Sequence, residues 1–96
     1  MDNIINAHDS TKTVSAPLIF KGSKGETRAL QIKKDGLLKE HITETDAFLI
    51  CISGEVVYED EKKNTCNLKP GDFVRIQPHV KHWVKGIEDS QLLLIK

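Results

Sequence analysis

Short runs of apolar residues alternate with polar and turn-forming residues along most of this chain. Within residues 27–33, Leu30 and Ile32 fall on one side of an extended backbone and polar residues fall on the other, as in a half-buried strand. Residues 47–52 and 92–95 are apolar at nearly every position, which predicts strands that are covered on both faces.

Turn-forming dipeptides separate these runs at short intervals. Asp35-Gly36 is a strong signal for a tight turn, and Pro70-Gly71 has the order that a type II turn prefers. No stretch of about twelve residues shows a helical period. The pattern predicts an all-β chain of about nine short antiparallel strands, arranged as a sandwich or barrel. The strongest candidate strands are 17–20, 27–33, 37–43, 47–52, 56–58, 73–76, 83–87 and 91–95.

The length predicts one domain. A chain of 96 residues supports a single core that buries about two-thirds of the unfolded surface. Residues 1–15 are polar and irregular, and residues 16–96 form the β domain. Two interpretations of the first segment stay open: a single turn capped by Asp2, or a terminus that frays or lies on a partner.

Charge and composition exclude several classes of protein. Fourteen Lys and Arg residues balance fourteen Asp and Glu residues, with seven of each sign in each half of the chain. There is therefore no basic face or tail for nucleic acid. The longest apolar run is six residues, 47–52, whereas a membrane span needs ~20. Because no signal-peptide pattern is visible, we expect a cytoplasmic protein in which Cys51 and Cys66 stay reduced.

One stretch resembles the first signature motif of the cupin superfamily, whose members fold as jelly-roll barrels. In that motif a glycine precedes a His-x-His pair, which is followed by a glutamate and a closing glycine. Counting back from Gly54 places the glutamate at Ala47 and the two histidines at Thr43 and His41.

A second stretch is similar to the other cupin motif, which opens on a glycine and ends on a metal-binding histidine. Gly71 stands at the opening and His82 at the final histidine. Pro78 lies one residue after the family's proline, and His79 replaces its glycine. The resemblance spans roughly residues 29–96 and implies a cupin jelly-roll β-barrel.

The resemblance also implies a metal site that this chain has largely lost. Three histidines and one glutamate hold a divalent metal in the family, but Thr43 and Ala47 have no imidazole or carboxylate to serve as ligands. His41 and His82 remain. His79 could join them in a three-histidine set, or it lies on the rim in solvent. The implied cofactor is none, or one weakly bound divalent transition metal (Fe, Mn, Ni, Co or Zn).

Strand alternation adds candidate pocket residues around the two histidines. Without a bulge, the inward face of strand 47–52 and its lead-in presents small, apolar and hydroxyl side chains. This mixture suits a compact organic ligand, and it suits a plain barrel core equally well. The predicted ligand-binding residues are His41, Thr43, Ala47, Leu49, Cys51 and His82.

Three functional hypotheses follow. The first is a module that binds a small organic molecule in the barrel, with weak or no metal. The second is a metal-dependent oxygenase or isomerase with a reduced histidine site, in which Glu44 or Asp46 supplies the carboxylate. The third is a metal-free enzyme with His41 or His82 as the base. Such cupins usually add a tyrosine, but the sequence does not place Tyr58 in the pocket.

The doubly apolar strands also predict a partner. One face of strands 47–52 and 92–95 is expected to line the barrel, which leaves the other for a second layer or a second subunit. We therefore expect a homodimer formed through an outer sheet face.

Overall fold

The computed structural model describes residues 2–96. After a short 3₁₀ turn at Ile4–Ala7, the chain is built from β-strands. The strands are β1 (Val14–Ser15), β2 (Leu18–Lys21), β3 (Glu26–Ile32), β4 (Leu37–His41), β5 (Ala47–Ser53), β6 (Val56–Asp60), β7 (Thr65–Leu68), β8 (Phe73–Ile76), β9 (His82–Gly86) and β10 (Ser90–Ile95). The prediction of an all-β fold is confirmed.

Two antiparallel sheets enclose the core. The larger sheet has the order β1-β3-β10-β5-β8, with β2 also paired to β3, and the smaller has the order β4-β9-β6-β7. This is a jelly-roll barrel, because from β3 to β10 the chain crosses between the two sheets at every step except the β6–β7 hairpin. Within the described residues 2–96, no helix is long and apolar enough to cross a membrane.

Buried and exposed residues alternate along the strands, and the buried residues of both sheets face one shared interior. In β5, Ala47, Leu49 and Cys51 are buried while the residues between them are partly exposed. The same alternation holds in β6, β9 and β10, because successive side chains of a strand point to opposite faces. The inward residues of the two sheets form one apolar cluster.

Two strands were missed by the sequence analysis. Val14–Ser15, assigned there to the irregular segment, pairs with β3. Thr65–Leu68 pairs with β6, but it is an edge strand with one fully buried residue, so its hydrophobic alternation is weak. Met1 of the predicted irregular segment lies outside the described residues.

The first of the two open interpretations, a single turn near the start of the chain, is correct, but the turn is capped by a different residue. The side chain of Asn3, rather than Asp2, accepts a hydrogen bond from the backbone N–H of Ile5 at 2.9 Å. Farther along the segment, His8 Nδ1 lies 2.9 Å from Ser15 Oγ. Since Ser15 pairs with Gln31, this segment lies on the larger sheet.

The end of the barrel formed by the β5–β6 and β9–β10 turns is tightly packed. Gly54 has a φ of +84°, and a Cβ at this position would overlap the carbonyl oxygen of Asp89 and the side chain of Ser90. Ser90 Oγ in turn accepts a hydrogen bond from the Glu55 N–H at 3.0 Å. This end is therefore fixed by close contacts between the two turns.

Candidate functional site

The polar interior residues cluster at the opposite end of the barrel, called here the mouth. Strands β4, β6, β8 and β10 end there, and β3, β5 and β9 begin there. The register shows this directly, because His41 and Asp60 both pair with His82, and Ala47 pairs with Ile76. The fold thus brings together residues that are far apart in the sequence.

Two histidines form a pair at the mouth, as the sequence analysis expected. The rings of His41 and His82 have centroids 4.2 Å apart and are tilted by 57°. A register shift in the β4–β9 ladder between Leu38 and His41 sets the two side by side. His82 is 1% exposed, whereas His41 is partly exposed, so the pair reaches from the core to the surface.

Backbone hydrogen bonds fix the tautomer of both rings. His41 Nδ1 lies 2.9 Å from the Lys39 carbonyl oxygen, and His82 Nδ1 lies 3.1 Å from the Val80 carbonyl oxygen. A carbonyl oxygen only accepts, so Nδ1 must carry the proton in each ring. When neutral, each imidazole therefore has its lone pair on Nε2.

The electrostatics of the mouth favour a neutral His82. Burial lowers the pKa of His82, and the positive charges of His41 and Lys96 lower it further, against the opposing effects of the Val80 hydrogen bond and Asp60. A low pKa keeps Nε2 available as an acceptor or base near neutral pH.

Tyr58 and Asp60 extend this cluster, and the sequence analysis did not place them there. The Tyr58 ring stacks near His82, with centroids 5.9 Å apart. Its hydroxyl donates to Asp60 Oδ2 at 3.2 Å. Burial and the neighbouring carboxylate raise the pKa of Tyr58, so its hydroxyl stays protonated. The signal in the sequence was the alternation Val56, Tyr58, Asp60, which turns an acidic residue inward.

Asp60 is buried yet ionised. Burial alone opposes its charge, but hydrogen bonds from Asn64, Tyr58 and Lys62 outweigh this and lower its pKa. The carboxylate accepts from the Lys62 N–H at 2.9 Å, the Asn64 N–H at 3.1 Å and Asn64 Nδ2 at 3.0 Å. A fixed negative charge therefore lies one strand from His82.

In the first cupin-like motif, Thr43 stands at the position of the second histidine and Ala47 stands at the position of the glutamate. Both are buried, at 3% and 4% exposure. Thr43 Oγ1 has no hydrogen-bond partner among the described residues, although the Thr43 carbonyl accepts from the His79 N–H at 2.9 Å. An unpaired buried hydroxyl costs free energy, so Thr43 has hydrogen-bonding capacity that the described residues do not use.

His79 lies on the rim and is exposed. Its φ of +62° is in the left-handed region, which glycine adopts without strain. Glu44 and Asp46, which follow Thr43 in the chain, are exposed as well.

Leu49 and Cys51 lie deeper, inside the apolar cluster, and burial raises the pKa of the Cys51 thiol. Both Cys51 and Cys66 are free.

The side chains at the mouth do not fit the four-ligand metal site that the motifs imply. In the range 2–96, no three His, Cys, Asp or Glu side chains lie close enough together to hold an ion. The structure groups His41 with His82 but does not bring His79 into a set of three with them. Two imidazoles supply half of the ligands of a usual four-coordinate site.

Two cavities open at the mouth, and neither His41 nor His82 is among their lining residues. One, of about 230 Å³, is lined by Tyr58, Asp60, Lys62, Asn64, Arg75, Gln77 and Val80. The other, of about 390 Å³, is lined by Thr43 with its neighbours Ile42, Glu44 and Thr45, by residues 21–26 and by Lys96. The lining of the larger cavity includes three lysines and two glutamates. Arg28 forms an ion pair with one of these glutamates, Glu26, at 2.9 Å. The surroundings of this cavity therefore favour a negatively charged group.

Comparisons with known proteins indicate one fold family. The family model described as Cupin domain matches residues 30–95. A cupin superfamily protein from Desulfitobacterium hafniense is 15% identical, with a TM-score of 0.84 over 97% of this chain and 84% of that chain. An RmlC-like cupin from Desulfovibrio desulfuricans is 14% identical, with a TM-score of 0.83 over 99% and 92%. KdgF from Halomonas sp. is 18% identical, with a TM-score of 0.80 over 92% and 81%.

At such identities the structural likeness shows the fold alone. Among curated protein sequences, none matches this chain.

Proposed function

Because the chain belongs to the cupin family, whose model matches residues 30–95, we propose that its barrel binds a small organic acid at the mouth. The observation that supports this most directly is the His41–His82 pair, with ring centroids 4.2 Å apart and both Nδ1 atoms bonded to backbone carbonyls. In this proposal, the Nε2 lone pair of a neutral ring accepts a hydrogen bond from a ligand donor.

A ligand hydroxyl matches this arrangement. An alcohol donates one hydrogen bond to an imidazole Nε2, and its oxygen accepts a hydrogen bond from a second donor. The unpaired hydroxyl of Thr43 is such a second group in the same part of the mouth. Ligand sites typically combine apolar walls with a few polar groups of this kind.

A carboxylate on the ligand matches the charge of the rim. Lys21, Lys24 and Lys96 line the larger of the two cavities at the mouth. Lys96 also acts on His82, since its charge lowers the pKa of that ring. An anion bound there would raise the pKa of His82 again, because an opposite charge favours the protonated form.

In this proposal a metal contributes weakly or not at all. The histidine pair would hold at most one weakly bound divalent ion, because two ligands without a carboxylate do not offset the ion's charge. Dialysis against a chelator should leave binding of the organic acid unchanged.

The test is an NMR titration of the four histidine Hε1 signals with glycolate, lactate, glycerate and citrate. Saturable shifts of His41 and His82 are expected for at least one acid, whereas exposed His79 and the distant His8 report non-specific effects. Ethylene glycol and glycerol serve as neutral controls. His41→Gln and His82→Gln should abolish the saturable shifts, and His79→Gln should keep them. Shifts that grow linearly, or equally at all four histidines, would contradict the proposal.

The contact between Tyr58 and Asp60 favours a second candidate function, which is acid–base catalysis without a metal. Tyr58 donates to Asp60 at 3.2 Å and stacks on His82. In this candidate, His82 Nε2 takes a proton from a carbon next to the ligand carboxylate, and a proton returns to the same carbon.

Deuterium exchange tests this second candidate. An acid that binds in the NMR titration is incubated with the protein in D₂O, and loss of its α-proton signal is followed over time. Exchange that disappears in His82→Gln and persists in His79→Gln would support catalysis. If the α-proton of a bound acid exchanges no faster than it does without the protein, catalysis is excluded and binding alone is the proposed function.

A further inference from the structure

The smaller of the two cavities at the mouth lies between the two sheets. Its lining comes from β6 and the β6–β7 connection on one side, and from β8 and the residues that follow β8 on the other. Its volume of about 230 Å³ equals the space that about seven or eight water molecules take in the liquid. We call this cavity the polar cleft. A ligand that fills it has a similar number of non-hydrogen atoms.

A negative charge lies at the wall of the polar cleft. The buried carboxylate of Asp60 lines it and is held by the four hydrogen bonds from Lys62, Asn64 and Tyr58. Both carboxylate oxygens are engaged in these bonds, so a ligand cation meets the charge through the groups that surround it.

Two of those groups offer acceptor atoms to a ligand. The Tyr58 hydroxyl donates to Asp60, and its oxygen keeps lone pairs for a further donor. Asn64 Nδ2 donates to the same carboxylate, which leaves the amide oxygen Oδ1 as an acceptor. Tyr58 and Asn64 both line the polar cleft. A cationic donor that binds these two oxygens therefore lies beside the negative charge of Asp60.

Two cations lie at the rim of the same cleft. Lys62 and Arg75 line it, and both residues are exposed. Lys62 Nζ donates to Gln77 Oε1 at 3.0 Å, and this bond holds the ammonium group between the two sheets. A guanidinium such as that of Arg75 binds a carboxylate through two parallel hydrogen bonds. The rim is therefore suited to a ligand carboxylate.

These opposite charges share one small cavity without pairing. Within residues 2–96, neither rim cation forms an ion pair with Asp60 or with another carboxylate. Asp46, which lines a groove together with Arg75, is not paired with it either. Opposite charges attract most strongly where little water screens them. A molecule that carries both charges is therefore stabilised at both ends of the cleft.

We propose that the polar cleft is a second binding site, which takes a small zwitterionic amino acid. The ammonium group of the ligand donates to the oxygens of Tyr58 and Asn64, and its carboxylate accepts from the two rim cations. Neither His41 nor His82 lines the polar cleft. The inference therefore goes beyond the organic-acid site and does not depend on it.

A ligand with a single charge fits the polar cleft less well. A simple carboxylate would lie near the buried charge of Asp60, and a simple amine would add a positive charge beside Lys62 and Arg75. In each case like charges oppose binding. Val80, which is 6% exposed, gives the cleft an apolar wall, so a short uncharged side chain suits it.

An NMR titration of the full chain tests the inference, with the side-chain amide of Asn64 as the reporter. Glycine, alanine and serine are the ligands, while propionate lacks the ammonium group and ethylamine lacks the carboxylate. At least one amino acid should give a saturable shift with a dissociation constant of about 1 mM or below, and the two control ligands should bind at least about 10-fold more weakly. Organic acids that bind only at the histidine pair should leave the Asn64 signal unmoved, so failure of either proposal is recognised separately.

Variants identify the charges that bind the ligand. Lys62→Gln and Arg75→Gln should each raise the dissociation constant at least about 10-fold, since each loses a charge-assisted bond. Both side chains are exposed, so the variants should fold, and circular dichroism verifies this. Lys63→Gln is the matched control in the same connection, because Lys63 is exposed and does not line the cleft. This control and His41→Gln should leave amino-acid binding unchanged.

Three results would overturn the inference. The first is an Asn64 shift that stays linear up to about 50 mM for all three amino acids, which means no binding of the expected strength. The second is binding of propionate or ethylamine as tight as that of the amino acids, because the site would then recognise one charge only. The third is a loss of binding in Lys63→Gln as large as in Lys62→Gln, because the lysines would then act through the overall charge of the surface.

Discussion

Replacing Asp60 by asparagine tests how the mouth is held together. The Asp60 carboxylate is 7% exposed and accepts four hydrogen bonds, from the Lys62 N–H, the Asn64 N–H, Asn64 Nδ2 and the Tyr58 hydroxyl. Asparagine has nearly the same shape but only one acceptor oxygen. Its NH₂ group would face two donors whichever way the amide is turned.

The expected cost follows from the two bonds that are lost. A hydrogen bond to a charged acceptor contributes about 1.5–3 kcal/mol, and a buried donor left unpaired adds to the loss. The Tyr58 bond, at 3.2 Å, is long for a hydroxyl donor and contributes at the low end. We therefore expect Asp60→Asn to lower the free energy of unfolding by about 3 kcal/mol at pH 7.

The loss should depend on pH. Hydrogen bonds lower the pKa of Asp60 in the folded protein despite burial. Its stabilising contribution is therefore complete above the unfolded pKa of about 3.9 and disappears as the pH falls through the folded pKa. The difference between wild type and Asp60→Asn should shrink at acidic pH.

Urea unfolding, followed by Trp83 fluorescence at fixed protein concentration, measures this difference. Fixed concentration matters because association would stabilise the folded state. Glu88→Gln, at an exposed carboxylate, is the control and should change stability by less than about 0.5 kcal/mol. A loss below about 1 kcal/mol for Asp60→Asn at pH 7 would refute the four-bond account.

Three further changes have outcomes that the structure predicts. Because burial lowers the pKa of His82, the unfolded state binds a proton first, so wild-type stability should fall as the pH drops below about 6.5 by up to about 1.4 kcal/mol per unit. Parallel unfolding titrations should show this slope reduced in His82→Gln; an unchanged slope would count against a buried neutral ring. His79→Gly should raise the free energy of unfolding by about 1 kcal/mol in urea titrations, since φ is +62° there; a decrease would mean that the histidine makes stabilising contacts. Gly54→Ala should cost at least about 3 kcal/mol by thermal unfolding, because a Cβ would overlap backbone at Asp89; a tolerated alanine would show that this turn can move.

Local patterns were sufficient to predict the strands and turns. The Asp35-Gly36 signal corresponds to a turn in which Asp35 has a φ of +65°, and Gly71 has a φ of +91°, as expected after Pro70 in a type II turn. Alternation in β3 and β5 gave the buried faces correctly. These features depend on residues a few positions apart, which a sequence displays directly.

The site was predicted less completely, because it depends on pairing between distant strands. The motif resemblance predicted that His41 and His82 meet, and they do. The position of Tyr58 follows from the pairing of β6 with β9, which no local pattern reveals. Similarly, three of the four hydrogen bonds that keep Asp60 ionised come from Lys62 and Asn64 in the β6–β7 connection.

The position of β10 in the larger sheet has a consequence for biosynthesis. Residues 90–95 pair with β3 on one side and β5 on the other, so the sheet has no centre until they have left the ribosome. The earlier strands can form hairpins such as β6–β7, but the hydrogen-bonding edges of β3 and β5 stay open meanwhile. Non-local pairing of this kind slows folding and exposes strand edges to aggregation. We therefore expect nascent chains in which residues 90–95 have not yet emerged to need protection by chaperones, because the larger sheet cannot form without them.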